Sequence, residues 1–114
     1  MSDRRSRFDG RRPSSTELRD IIGKHELWLT DPVKFIRWRA NLAGAILSRE
    51  YLAGADLGGA NLWGADFRNA DLTDCRFDCA YLSEADFTGA EIYGATFAQA
   101  HTMHAIGLHV GAES

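Results

Sequence analysis

Between Ala40 and Gln99 the chain repeats itself every five residues, twelve times over, with no gap or insertion. The units run from Ala-Asn-Leu-Ala-Gly at 40–44 and Ala-Ile-Leu-Ser-Arg at 45–49 to Ala-Thr-Phe-Ala-Gln at 95–99. The third position is Leu, Phe or Ile in all twelve units, and the first is Ala in ten, with Glu50 and Cys75 the exceptions. A merely alanine-rich segment would not hold its large residue to one phase, so the period is structural. In an α-helix every fifth residue advances about 140°, and the large residues would spiral around the rod without forming a face. In a straight strand five steps carry a side chain to the opposite face. The period fits a backbone that turns a corner once per unit. The first and third residues then point inward, the second points out, and the fourth and fifth make the corner. Gly fills the fifth position in six units, and Asn69 and Asp74 tolerate the same turn dihedrals.

The repeated A(D/N)LxG pattern covers about half the chain and resembles the pentapeptide repeat family. The resemblance implies an all-β solenoid, a right-handed quadrilateral β-helix with four units per coil and positions twenty apart stacked in columns. Twelve units then make three coils, roughly 15 Å long at the strand spacing of about 4.8 Å. Leu42 would stack with Leu62 and Leu82, Leu52 with Leu72 and Ile92, and Leu47 and Leu57 would begin the other two columns. The remaining core positions are phenylalanines, Phe67 with Phe87 and Phe77 with Phe97, which fall into two columns on opposite sides. That spacing agrees with four units per coil. Cys75 replaces an inward Ala and is expected to be buried, whereas Cys79 at a corner is expected to be reachable. Asp78 is expected to point out.

The flanks read as end pieces. Ser14 and Glu17 have capping-box spacing, and Leu18, Ile21, Ile22, His25, Trp28 and Leu29 recur at helical intervals. Asp31-Pro32 stops that pattern, so a helix over 15–29 is expected to lid the first coil. Phe35, Ile36 and Trp38 would seat the linker. The run E-L-x-x-I-I-x-x-H-x-x-W-L leading into R-A-N-L-x-G-A resembles the leader of many bacterial pentapeptide repeat proteins. Residues 1–13 read as a disordered basic arm, 14–39 as capping helix and linker, 40–99 as the solenoid and 100–114 as an end segment. In that last segment the register decays, because Thr102 and Gly107 stand where Leu or Phe belongs.

Candidate chemistry is sparse. His101, His104 and His109 are spaced H-x2-H-x4-H, which matches no tight metal motif and reads as surface histidine. His25 reads as a packed helix residue. The outward Asp and Glu columns are products of the repeat, and a small convex rod offers no cleft for a glycosidase-like carboxylate pair. Ser48 and Ser83 lack a histidine in a matching column, and neither Lys24 nor Lys34 follows a glycine-rich phosphate loop. No catalytic residue, metal site or cofactor is expected. Glu50, inward-facing, calls for an ion pair with Arg37 or Arg39. Trp63, Tyr81 and Tyr93 lie at outward positions and, with Met103 and Ile106 near the C-terminal end, are the candidate partner-binding residues.

Charge divides the chain. Residues 1–39 carry ten basic and six acidic side chains, while residues 40–114 carry three and ten. The acidic body is not expected to bind nucleic acid directly. No apolar run approaches the ~20 residues of a membrane span, no secretion signal is visible, and two cysteines make no disulfide scaffold. A cytoplasmic setting is expected. The function expected is that of a non-enzymatic protein–protein interaction or structural module. Met103, Ile106, Leu108 and Val110 beside an uncovered coil end suggest a homodimer through the C-terminal ends. The alternative implied by the resemblance is an acidic DNA mimic that binds DNA gyrase. Length departs from that pattern, since two such bodies end to end give roughly 30 Å, about nine base pairs.

Overall fold

A computed structural model of the chain describes residues 6–108. From Asn41 to Ile106 the backbone pairs with itself in parallel at a constant separation of twenty residues. Asn41, Asn61, Tyr81 and His101 stack on one face, here face 1, and Ile46, Asp66, Asp86 and Ile106 stack on face 2. Tyr51, Asp71 and Glu91 define face 3, and Asp56, Arg76 and Thr96 define face 4. One circuit therefore consumes four units.

Each unit meets its backbone needs through the units above and below. The third N–H donates upward to the second C=O of the next coil (Leu42 to Asn61, 2.8 Å), and the fifth donates to the fourth (Gly44 to Trp63, 2.7 Å). The second N–H donates back down to the first C=O (Asn61 to Ala40, 3.0 Å), and the corner closes within the chain (Ala45 to Leu42, 3.0 Å). Buried backbone polar groups are thus paired without long strands. Every fifth residue from Gly44 to His104 has positive φ, between +58° and +79°. Seven of these corners are not glycine, among them Arg49, Cys79, Glu84 and Gln99, so the ladder holds ordinary residues in the left-handed region.

The inward columns form one apolar core. Leu42, Leu47, Leu57, Leu62, Phe67, Leu72, Phe77, Leu82 and Phe87 are fully buried, and Leu52 nearly so. Ile92 and Phe97, expected in the core, are only partly buried, because no complete coil lies above them. Phe67 and Phe87 stack at 5.0 Å, Phe77 and Phe97 at 5.3 Å, and the two columns meet edge to face across the interior.

The repeat geometry runs past Gln99, contrary to the expected boundary. Leu82 donates to His101 O (2.7 Å), Glu84 to Met103 O (3.0 Å) and Phe87 to Ile106 O (2.8 Å). Coil three supplies these partners whatever the side chains. Thr102 is exposed at its inward position because nothing covers it, so no large apolar residue is demanded there. Gly107 (φ +79°) then lies so close to Thr88 N and Phe87 C that a β-carbon would not fit, and Leu108 packs partly against the core.

Helix α1 spans Ser15–Thr30. Its capping box is complete, with Glu17 N–H donating to Ser14 Oγ (3.0 Å) and Ser14 N–H to Glu17 Oε1 (2.8 Å). Leu18 and His25 are buried, Ile21 and Ile22 pack on the core, and Trp28 lies over Gly59. In the linker Phe35 and Trp38 stack at 4.9 Å, but Ile36 points into solvent within a short 3₁₀ turn.

The expected disordered arm requires correction from Ser6 onward. Residues 6–13 imitate a coil beneath faces 1 and 2. Phe8 is 1% exposed, Pro13 is fully buried, and Gly10 turns the corner at φ +72°. Gly10 N–H donates to Gly44 O (2.8 Å), and Ile46 N–H donates to Arg11 O (2.9 Å), the bond a lower coil would supply. Arg12 pairs with Glu50 at 3.0 Å, so Glu50's partner is neither Arg37 nor Arg39. Arg39 instead donates from Nε to Gly59 O (2.7 Å). The call for disorder at 1–5 falls outside the described residues.

Candidate interaction surface

A solenoid has two ends, and at each the coil edge leaves backbone donors and acceptors that something must satisfy. At the N-terminal end residues 6–30 do this on faces 1, 2 and 4, while Tyr51 N–H and Ala53 O on face 3 make no hydrogen bond with the described residues. Ser6 Oγ donates to Ala43 O (2.9 Å), Arg12 to Ser48 O (2.7 Å), and Asp56 N–H donates to Glu26 (3.2 Å). His25 serves two groups at once. Ala40 N–H can only donate, so His25 Nδ1 accepts it (2.9 Å), and Nε2 carries the proton and donates to Gly58 O (2.7 Å). Burial pushes the imidazole below its ordinary value of 6.5, since a charged ring would be desolvated there and would lose its acceptor.

The C-terminal end differs. The N–H groups of Ile92, Gly94, Phe97, Gln99, Thr102 and His104 make no hydrogen bond with the described residues. Neither do the carbonyls of Ala90, Ala95 and Ala100. Beside this edge Met103 is 70% exposed on face 1 and Ile106 56% exposed on face 2, with Tyr93 84% exposed on face 3. Among the described residues, backbone groups without a partner and exposed apolar side chains thus share this end.

The other two candidates are placed differently. Tyr81 is held between Arg39, whose guanidinium lies 4.9 Å from the ring centroid, and His101, edge-on at 4.8 Å. Trp63 is only half exposed on the same face. Face 1 therefore gathers Trp63, Tyr81 and Met103, while Tyr93 stands apart. Tyr51, 77% exposed on face 3, was not among the sequence candidates, although its second position in the unit is the outward one. Models of pentapeptide repeats match residues 39–74 and 65–101, with eight copies of the motif. The chain belongs to the pentapeptide repeat family.

Pentapeptide repeat proteins fold as right-handed quadrilateral β-helices. Among solved structures this one is similar to the pentapeptide repeat protein Rfr23 from the cyanobacterium Cyanothece 51142. The identity is 30% over 55% of this chain and 47% of that one, with a TM-score of 0.46. It is also similar to a pentapeptide repeat protein of the Arabidopsis thaliana thylakoid lumen, at 28% identity over 56% and 51% of the two chains, with a TM-score of 0.23. The chain spans about half the length of these structures. No curated protein matches the sequence significantly.

Along the body of this pentapeptide repeat protein the titratable groups are explained by the repeat. Asp66 is held below the usual carboxylate range by its hydrogen bonds from Arg68. Thr73 and Thr88 likewise donate to Asp71 and Asp86 two residues earlier, at 2.7 and 2.6 Å. Cys75 donates to Leu52 O, and burial pushes its thiol up to about 11, whereas Cys79 is exposed. His104 contacts Glu84 at 3.1 Å; His109 lies outside the described residues. No group of three or more His, Cys, Asp or Glu among the described residues is placed to hold a metal ion. No helix among them is long and apolar enough to cross a membrane.

Proposed function

We propose that this chain is a right-handed, four-sided β-helix that works as a non-enzymatic docking module, binding a protein partner through its C-terminal end. The observation that carries this reading is the contrast between the ends. At the N-terminal edge α1 and residues 6–13 cover faces 1, 2 and 4, whereas at the C-terminal edge donors and acceptors on faces 1, 3 and 4 have no partner among the described residues, beside Met103 and Ile106. A second copy related by a two-fold axis would offer the same edge and the same apolar groups, so the simplest partner is the chain itself. Free Cys75 and Cys79 suit a reducing compartment such as the cytoplasm.

The acidic DNA-mimic reading has weaker support. Arg68 neutralises Asp66 at 2.9 Å, Arg76 interrupts face 4, and Ile46, Tyr51 and Tyr81 interrupt the acidic columns elsewhere. Light scattering across micromolar concentrations tests the docking proposal. A mass of twice 12.6 kDa, falling to 12.6 kDa in Ile106→Glu, is expected. A mass of 12.6 kDa for the unaltered chain at every concentration would contradict it.

A further inference from the structure

The lower edge of each face asks three things of whatever lies beneath it, because the ladder repeats. The second residue's N–H needs an acceptor, its C=O needs a donor, and the fourth C=O needs another donor. On face 2 Arg11 O accepts Ile46 N–H and Arg12 donates to Ser48 O. On face 4 Glu26 accepts Asp56 N–H and His25 donates to Gly58 O. On face 3 none of the three, Tyr51 N–H, Tyr51 O or Ala53 O, has a partner among the described residues. The core is open at the same place. Leu42, Leu47 and Leu57 of the first coil are 0% exposed, whereas Leu52 on face 3 retains 7%.

This edge borders a cleft of about 480 Å³ between α1 and face 3, with Leu18, Ile22, Leu52 and Ala55 as its apolar lining. That volume lies within the range of ligand sites, roughly 300–1,000 Å³. Its charges are Arg19, Glu26 and Glu50, and Glu50 is already paired with Arg12 at 3.0 Å, so the cleft favours neither sign. A row of backbone donors and acceptors beside an apolar cleft is met by an added strand. The chain shows the solution next door, where residues 6–13 run beneath faces 1 and 2 with Phe8 buried and Gly10 at the corner. We infer that the cleft binds a five-residue extended, uncharged segment of a partner protein, parallel to Tyr51–Ala53. By the ladder's rule the segment's first C=O accepts Tyr51 N–H, its third N–H donates to Tyr51 O, and its fifth N–H donates to Ala53 O. Its third residue is apolar and faces Leu18, Ile22 and Leu52, and its fifth is glycine at the corner. The site lies at the opposite end from Met103 and Ile106 and stands apart from docking there.

Amide NMR of the full chain tests the inference, with acetyl-Ala-Asn-Leu-Ala-Gly-amide, the sequence of residues 40–44, as the probe. Tyr51 N–H should exchange fast in the free chain. With millimolar peptide its signal should shift saturably and its exchange should slow. The same peptide with N-methyl-leucine keeps the side chain but loses the third donor, and should bind about tenfold more weakly. Replacing that leucine by aspartate should abolish binding. The inference is overturned if Tyr51 N–H is already protected without peptide, which would mean that the rest of the chain covers this edge. It is equally overturned if the shifts do not saturate, if they fall at Gly94 and Gln99 and not at Tyr51, or if N-methylation leaves the affinity unchanged.

Discussion

Phe77 sits where the two phenylalanine columns cross, stacked on Phe97 at 5.3 Å and edge-on to Phe67 and Phe87 at 5.7 and 6.0 Å. Its removal empties a site whose neighbours are fixed by the ladder and cannot collapse into it. Phe77→Ala should therefore cost about 3–5 kcal/mol in a denaturant titration. Arg76→Ala, one residue earlier and exposed on face 4, should stay within about 0.5 kcal/mol. Asp78 is a poorer control than its outward position suggests, because it accepts a hydrogen bond from Ala98 N–H at 2.9 Å. Equal costs at Phe77 and Arg76 would refute the register. The cysteines read the same register chemically. Cys75 is buried with a thiol pushed up to about 11, and Cys79 is exposed at a corner. Ellman's reagent at pH 8 should titrate one thiol in the folded protein and two in denaturant. Two fast thiols before unfolding would contradict the inward placement of Cys75.

At the scale of elements, α1 is held to the solenoid by a titratable group, and that makes its attachment depend on pH. His25 is neutral in its bridge between Ala40 N–H and Gly58 O, with Asp56, Glu26 and Arg39 the charged groups around it. Its folded pKa is lowered from 6.5, so the unfolded chain takes up the proton first as pH falls. The His25 contribution is complete above about pH 6.5 and is lost progressively below it. Melting temperature should fall from pH 8 to pH 5, and His25→Ala should be less stable at pH 8 yet lose part of that fall. An identical pH slope in the variant would count against the bridge. The capping box at Ser14 and Glu17 and the apolar stripe made α1 legible in the sequence, because both are local signals. The half coil at 6–13 was not legible. Arg-Phe-Asp-Gly at 7–10 followed by Pro13 is a faint five-residue echo, but α1 is inserted after it. Phe8 and Leu42 are therefore 34 residues apart, not a multiple of five. Missing that echo hid Arg12, and with it the true partner of Glu50.

For the whole molecule, repetition fixed what could be read. Inward and outward positions, the twenty-residue stacking and the two phenylalanine columns follow from one period applied along the chain. What lies at the ends does not repeat, and there the reading was weakest, both in the arm that proved to be a cap and in the coil that ran on to Ile106. In the proposed function the N-terminal end is covered on three faces and the C-terminal end docks a partner. Hydrogen exchange followed residue by residue at rising protein concentration tests it most directly. The N–H groups of Ile46 and Asp56 at the N-terminal end should exchange slowly at every concentration, since Arg11 and Glu26 accept them. Those of Gly94, Phe97, Gln99 and His104 should exchange fast in dilute solution and slow as copies associate. Slow exchange at these four positions in a dilute monomer, or fast exchange at every concentration, would contradict the account.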